Sequence, residues 1–208
     1  MLNKSRLENL SDGLYAIVLT LLVFDIKLPA TLVLSDSAAL WSELHTLLPV
    51  FLGFVVSFFV LMMFWISHNF FYHYFAKTIN RQLVLLNLIY LGCISLIPFS
   101  AHLLGQYHRI PLAVAMYGLN VLVIGILNII IFRYALNSHE IETEDIPTRL
   151  MHQAQVRSYI TPVCSVIGMG LAFVSTEAAI FFYAFPVVFN VIPGTLDAME
   201  STLGFRLG

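Results

Sequence analysis

The sequence predicts an all-α, polytopic membrane protein with six transmembrane helices in each subunit. Its 208 residues are 59% hydrophobic and 11% charged, with a mean hydropathy of +0.87, whereas soluble domains carry about 25% charged residues. Apolar runs recur along almost the whole chain, most of them near the roughly 20 residues that cross a bilayer as a helix. Little sequence remains for a soluble domain, so residues 1–208 are predicted to form a single transmembrane domain.

The apolar runs place the six helices at about 6–28, 47–75, 81–104, 110–136, 157–175 and 178–200. Two connections are long, residues 29–46 and 138–157. The second holds four acids before Pro147, at Glu140, Glu142, Glu144 and Asp145. We interpret it as a solvated loop, with a divalent-cation or regulatory site as the alternative. Pro186 and Pro193 predict a kink in the last helix.

The basic residues predict the orientation. If the N-terminus is cytoplasmic, eight of the ten Lys and Arg residues are cytoplasmic too, and Lys27 and Arg109 are outside. The eight are Lys4, Arg6, Lys77, Arg81, Arg133, Arg149, Arg157 and Arg206. Cytoplasmic loops of membrane proteins carry such an excess. Both termini are therefore predicted to be cytoplasmic.

Polar residues on the first three helices are predicted at a common depth. Asp12 follows Arg6 by six residues, Asn87 follows Arg81 by six, and His68 precedes the end of its helix by about eight. At 1.5 Å per residue, all three lie roughly 9–12 Å from the same membrane face. Polar groups inside a membrane pair with one another. We therefore predict one structural cluster of Arg6, Ser11, Asp12, Trp65, His68 and Asn87, with a proton relay as the alternative.

A second face of the first helix is mainly apolar. At about 100° per residue, Leu10, Ile17 and Phe24 fall on one line, with Thr20 and Leu21 beside it and Asp12 about 140° from Ile17. Such a stripe is most often core packing. The apolar stretch of residues 13–24, however, is too short for a lipid-exposed span. This context shifts the balance toward a pore-lining stripe, with core packing as the alternative.

Several other function classes are disfavoured. The histidine pairs His68 and His73, and His102 and His108, are five and six residues apart and lack the i, i+4 spacing of a helical zinc site. No metal and no cofactor are predicted. Both cysteines fall within predicted spans, which disfavours a disulfide framework. A net charge of −2 disfavours a nucleic-acid partner. The sequence also offers no nucleophile and base at a spacing suitable for an enzyme.

Three motifs carry a resemblance to a known family. The string R-x-x-x-L-S-D-G covers Arg6, Leu10, Ser11 and Asp12, W-x-x-H covers Trp65 and His68, and Asn87 follows early in the third helix. Together they resemble the transmembrane protein 175 family of endolysosomal and prokaryotic potassium channels. The family hallmark is R-x-x-x-F-S-D, so Leu10 stands here where a Phe is usual.

The resemblance implies a homotetramer in a prokaryotic plasma membrane, in which four first helices surround a pore for K⁺ and other monovalent cations. Members of the family close their pore with hydrophobic rings. The resemblance therefore implies a gate at Ile17, a selectivity layer at Thr20 and a further constriction at Phe24. Leu21 lies beside this stripe. Lipid and sister subunits are then the only partners expected.

The sequence contains no T-V-G-Y-G filter, no similar loop and no voltage sensor with an Arg at every third position. Selectivity for K⁺ over Na⁺ is therefore expected to be modest and to arise from ring width, dehydration and the Thr20 hydroxyl. The competing hypothesis is a proton-conducting channel or a proton-coupled secondary transporter that uses Asp12 and His68.

Overall fold

The computed structural model describes residues 3–28, 36–142 and 148–191, and the regular elements in this part of the chain are all helices. The helices are α1 (Lys4–Leu21), a 3-10 turn (Leu22–Asp25), α2 (Ser37–Thr46), α3 (Leu48–Tyr74), α4 (Arg81–Ser95), α5 (Ile97–Gln106), α6 (Pro111–Asn137), α7 (Thr148–Leu171) and α8 (Thr176–Val191). The predicted all-α class is confirmed.

Four of these helical segments are long and apolar enough to cross a membrane: Lys4–Asp25, Leu48–Tyr74, Arg81–Gln106 and Pro111–Asn137. The third of them joins α4 and α5, which are separated only at Leu96. Pro98 explains the break, because its ring removes an N–H and clashes with the carbonyl four residues earlier. Four of the six predicted spans thus have the length and composition of membrane helices, and α7 and α8 remain predicted spans.

The structure changes the bounds of two predicted helices. The first was expected to continue to residue 28, but α1 ends at Leu21 and the chain tightens into the 3-10 turn to Asp25. Pro29 disfavours the helical conformation in the residue before it, which shortens the helix. The fifth was expected from residue 157, but α7 begins at Thr148. Residues 143–147, including Glu144 and Asp145, and residues 192–208 lie outside the described residues.

Side-chain caps define the starts of three helices. Asn3 accepts from the backbone N–H of Ser5, and Asn80 accepts from that of Leu83. Asp36 caps α2 in the same way, through the N–H of Ala39. Each cap satisfies a backbone donor that the helix leaves unpaired.

Helix α6 lies at the centre of the bundle and packs against α4, α5, α7 and α8. Small residues allow close approach here: a methyl group on Gly118 or on Gly168 would meet the ring of Tyr183, which is inserted between α6 and α7. Helix α1 lies at an edge and packs mainly on α3 and α4. Among the four apolar segments, the α1 segment is both the least buried and the least apolar.

Candidate functional site

The two sides of α1 differ in burial. One side packs against the subunit through residues three or four apart, a spacing typical of a single helix face; they are Leu7, Ser11, Tyr15, Val18 and Leu22. The opposite side is exposed from Arg6 to Phe24. Its orientation is therefore fixed by contacts on one side only.

The exposed side carries the residues predicted to line a pore. We call Ile17, Thr20, Leu21 and Phe24 the α1 ridge. Ile17, Leu21 and Phe24 are 60%, 43% and 70% exposed, and Thr20 is exposed as well. The Thr20 hydroxyl donates to the carbonyl oxygen of Ile17 at 2.8 Å. Because the hydroxyl proton is used within the helix, the oxygen lone pairs remain free to accept.

The 3-10 turn changes the position of Phe24 relative to an uninterrupted α-helix. With about 100° per residue from Ile17 to Leu21 and 120° in the turn, Phe24 lies directly above Leu21 and about 40° from Ile17. The rise from Ile17 to Phe24 is roughly 12 Å. The sequence placed Phe24 in line with Ile17. The structure keeps both on the exposed side but offsets them around the helix.

Asn87 joins three helices inside the subunit. Its Oδ1 lies 2.8 Å from His68 Nε2, and its Nδ2 donates to Ser11 Oγ at 3.2 Å. Ser11 Oγ in turn donates to the carbonyl oxygen of Leu7 at 2.9 Å. All three side chains are buried. Since the amide oxygen can only accept, His68 Nε2 is the donor in this chain of hydrogen bonds.

Asp12 and Trp65 form a separate contact. Trp65 Nε1 donates to Asp12 Oδ1 at 2.9 Å, and Asp12 is exposed. The single cluster predicted from depth is therefore divided in the structure: Ser11, His68 and Asn87 form a buried network, and Asp12 and Trp65 form a pair at its edge. Arg6 and Leu10 are exposed on α1. Asp12 is hydrogen-bonded to Trp65 and not to His68.

Two further contacts hold α1 and were not predicted. The Tyr15 and Tyr90 hydroxyls are 2.7 Å apart and buried, which ties α1 to α4. Asp25 Oδ1 lies 3.0 Å from His102 Nδ1, which ties the end of the 3-10 turn to α5. An Asp at the end of an apolar run was a usable signal for the second contact. Nothing in the sequence distinguishes Tyr15 from an interfacial tyrosine.

The described residues contain no group of three or more His, Cys, Asp or Glu side chains that could hold a metal ion. The exposed side of α1 thus presents a polar end, at Arg6 and Asp12, followed by the mainly apolar α1 ridge. The charged end of this helix side has poor partners in lipid.

Comparison with known proteins agrees with the motifs. Residues 6–98, from α1 into the start of α5, match the family model described as the endosomal/lysosomal potassium channel TMEM175. This segment of the chain is similar to the TMEM175 family. The resemblance carried by Arg6, Asp12, Trp65 and His68 is thereby confirmed.

Relatives extend the likeness beyond the TMEM175 segment. A protein of Chryseobacterium sp. named a potassium channel is 28% identical over 194 residues, covering 92% of this chain and 94% of that protein. A second protein named a potassium channel, of Streptomyces collinus, is 28% identical over 200 residues, covering 93% of this chain and 95% of that protein. Both are bacterial potassium channels by name. No relative among these is described as an enzyme.

The fold is that of a solved TMEM175 homologue. The crystal structure of a lysosomal potassium-selective channel TMEM175 homologue from Chamaesiphon minutus superposes with a TM-score of 0.76. It is 23% identical in sequence, and the match covers 90% of this chain and 96% of that one. At this identity the likeness establishes the fold.

Proposed function

We propose that this protein is a potassium-permeable cation channel in which α1 helices of four identical subunits surround the conduction pathway. The observation that carries the proposal is the exposed side of α1, because it combines Arg6 and Asp12 with the apolar α1 ridge on the least buried membrane segment. The relatives named potassium channels support the same function.

The composition of α1 argues for cover by sister subunits. Lipid tails offer no partner to a charged side chain, so intramembrane charges face a bundle interior or a watery cavity. Helix α1 already contacts its own subunit through its buried side. Asp12 accepts one hydrogen bond from Trp65 of its own subunit and is otherwise exposed, so another copy of the chain, or an aqueous pathway between copies, would cover its carboxylate. A closed ring of identical subunits provides both.

We assign the gate to the apolar members of the α1 ridge. In a tetramer, Ile17 would form one ring of four and Phe24 another, roughly 12 Å apart along the axis. Apolar rings close a pore by excluding water. Leu21, which is 43% exposed, would lie between the two rings. Ile17 and Phe24 are more exposed than Leu21, so they are assigned to the two constrictions.

Selectivity is assigned to the ring widths and to Thr20. The Thr20 hydroxyl donates to Ile17 O, so its oxygen lone pairs can face a passing cation. Four such oxygens replace only part of a hydration shell. K⁺ sheds water at lower cost than Na⁺, so we expect a modest preference for K⁺.

The remaining features follow from the six-helix interpretation. Residues 1–208 would form one domain with α7 and α8 as the fifth and sixth spans. The basic residues Lys4, Arg6, Lys77 and Arg81 would face the cytoplasm of a prokaryotic cell, together with both termini.

The direct test of the function is current through the purified protein in a planar bilayer. With K⁺ on one side and Na⁺ on the other, we expect current without any further ion gradient, reversing toward the K⁺ equilibrium potential. A proton-coupled transporter would instead show a reversal potential that shifts when a proton gradient is imposed, because both ions drive its current. That result would overturn the proposal in favour of proton coupling.

The Thr20→Val variant tests the selectivity assignment, because valine keeps the shape and removes the oxygen. We expect conduction to persist while the permeability ratio of K⁺ to Na⁺ falls toward unity. The matched control is Thr20→Ser, which retains the hydroxyl and should keep most of the preference. The same ratio in wild type and Thr20→Val would show that the hydroxyl contributes nothing to selection.

A further inference from the structure

A slot between α3, α6, α7 and α8 is separate from the α1 ridge. Its volume is about 230 Å³. It is lined along residues 63–71 of α3 and 153–161 of α7, so it is roughly 12 Å long at 1.5 Å per residue. It lies in the half of the bundle where α7 begins and α3 ends. No residue of α1 lines it.

The slot is amphipathic and carries one charged side chain, Arg157. Aromatic and aliphatic side chains form much of the wall, including Met63, Phe64, Phe71 and Phe132. Polar side chains on all four helices complete the lining, and Arg157 lies midway along the α7 lining of residues 153–161. The slot therefore pairs a cation near its middle with an apolar wall.

Arg157 has donor capacity that the described residues do not use. Its Nη1 donates to the carbonyl oxygen of Asn190 at 3.2 Å, while its Nε is buried without a hydrogen-bond partner. Within the described part of the chain, no carboxylate lies within 4.0 Å of this guanidinium. The Asn190 carbonyl leaves the charge of this half-buried guanidinium uncompensated, and an anion in the slot would both balance the charge and accept from the free Nε.

The same residues explain why α7 is less apolar than α3 and α6, the two helices of 27 residues. Gln153, Arg157 and Ser158 fall in its first half and line the slot, whereas its second half is apolar. Polar residues in a predicted membrane helix face other protein groups or a cavity. Here they face this slot.

We propose that the slot binds one anionic glycerophospholipid of the surrounding membrane, with the lipid phosphate at Arg157 and one acyl chain along the apolar wall. A guanidinium binds phosphate through paired hydrogen bonds, and basic pockets between membrane helices bind anionic headgroups. The volume is below the roughly 300 Å³ at which small-molecule pockets begin. It therefore fits part of one chain and leaves the other in the bilayer.

The test is the thermal unfolding of the purified full-length protein in neutral detergent, titrated with phosphatidylglycerol or with phosphatidylcholine. We expect phosphatidylglycerol to raise the melting temperature and phosphatidylcholine to have little effect. In Arg157→Gln the half-saturating concentration of phosphatidylglycerol should rise about tenfold or more. The matched control is Arg133→Gln. Arg133 follows the slot residue Phe132 on α6, is exposed and donates to the Tyr159 hydroxyl, but it does not line the slot.

A second variant, Asn128→Phe, fills the slot and leaves the cation in place. It should also lose the response to phosphatidylglycerol, and it decides the question if Arg157→Gln does not fold. Three outcomes would overturn the proposal: equal responses to the two lipids, an equal loss in Arg133→Gln, or a response retained in Asn128→Phe. An equal rise with inorganic phosphate alone would indicate a simple anion site without the acyl chain.

Discussion

Potassium efflux from proteoliposomes is expected to rise several-fold when Ile17 is replaced by asparagine. Ile17 is 60% exposed on the side of α1 that we assign to the pore. Four apolar side chains at this level would exclude water from a closed constriction, whereas four amides would hold water there. Since water must fill the constriction before an ion can pass, the polar ring favours the conducting state.

The control for this experiment is Val163→Asn on α7. Val163 is 55% exposed and lies on a helix that does not pack against α1, so it introduces the same polar group at an exposed membrane position outside the proposed pore. Its efflux should equal that of wild type. Unchanged efflux in a correctly assembled Ile17→Asn protein would contradict a gate at this level.

Asn87→Leu is expected to cause the largest loss of stability. The change removes the acceptor for His68 Nε2 and the donor to Ser11 Oγ, while both partners stay buried. A buried donor left without a partner costs about 1–3 kcal/mol. We therefore expect a clear fall in the melting temperature of the protein in detergent.

The matched variant is Asn120→Leu on α6. Asn120 donates to Ser100 Oγ at 3.0 Å, but it is only half-buried and bonds one other side chain, whereas Asn87 bonds two. Its loss of melting temperature should be clearly smaller. Equal effects in the two variants would mean that the buried network of Ser11, His68 and Asn87 has no special role in holding α1.

Part of the site could be predicted because depth in a membrane follows from residue counting. Ser11, His68 and Asn87 lie on three helices at similar distances from their ends, and buried polar groups in a membrane pair. Asp12 was placed with them by the same counting. Depth says nothing about direction around a helix, and Asp12 turns toward Trp65 at the exposed side.

Other features depend on local backbone geometry or on tertiary contacts. The 3-10 turn at Leu22–Asp25 shifts Phe24 around the helix, and its Asp25 is held by His102 from a helix 77 residues away along the chain. The start of α7 was assigned to the long connection of residues 138–157, which carries four acids before Pro147. The cavity that α7 helps to line could not be inferred from one sequence, because periodicity does not reveal which helices are neighbours.

The most direct test of the pore assignment is thiol block of Phe24→Cys in a background in which Cys93 and Cys164 are replaced by alanine. Phe24 is 70% exposed at one end of the α1 ridge. A cationic, water-soluble thiol reagent should abolish most of the potassium current through Phe24→Cys and leave Val163→Cys unaffected. Full current after complete modification of Phe24→Cys, verified by mass, would contradict a conduction pathway lined by α1.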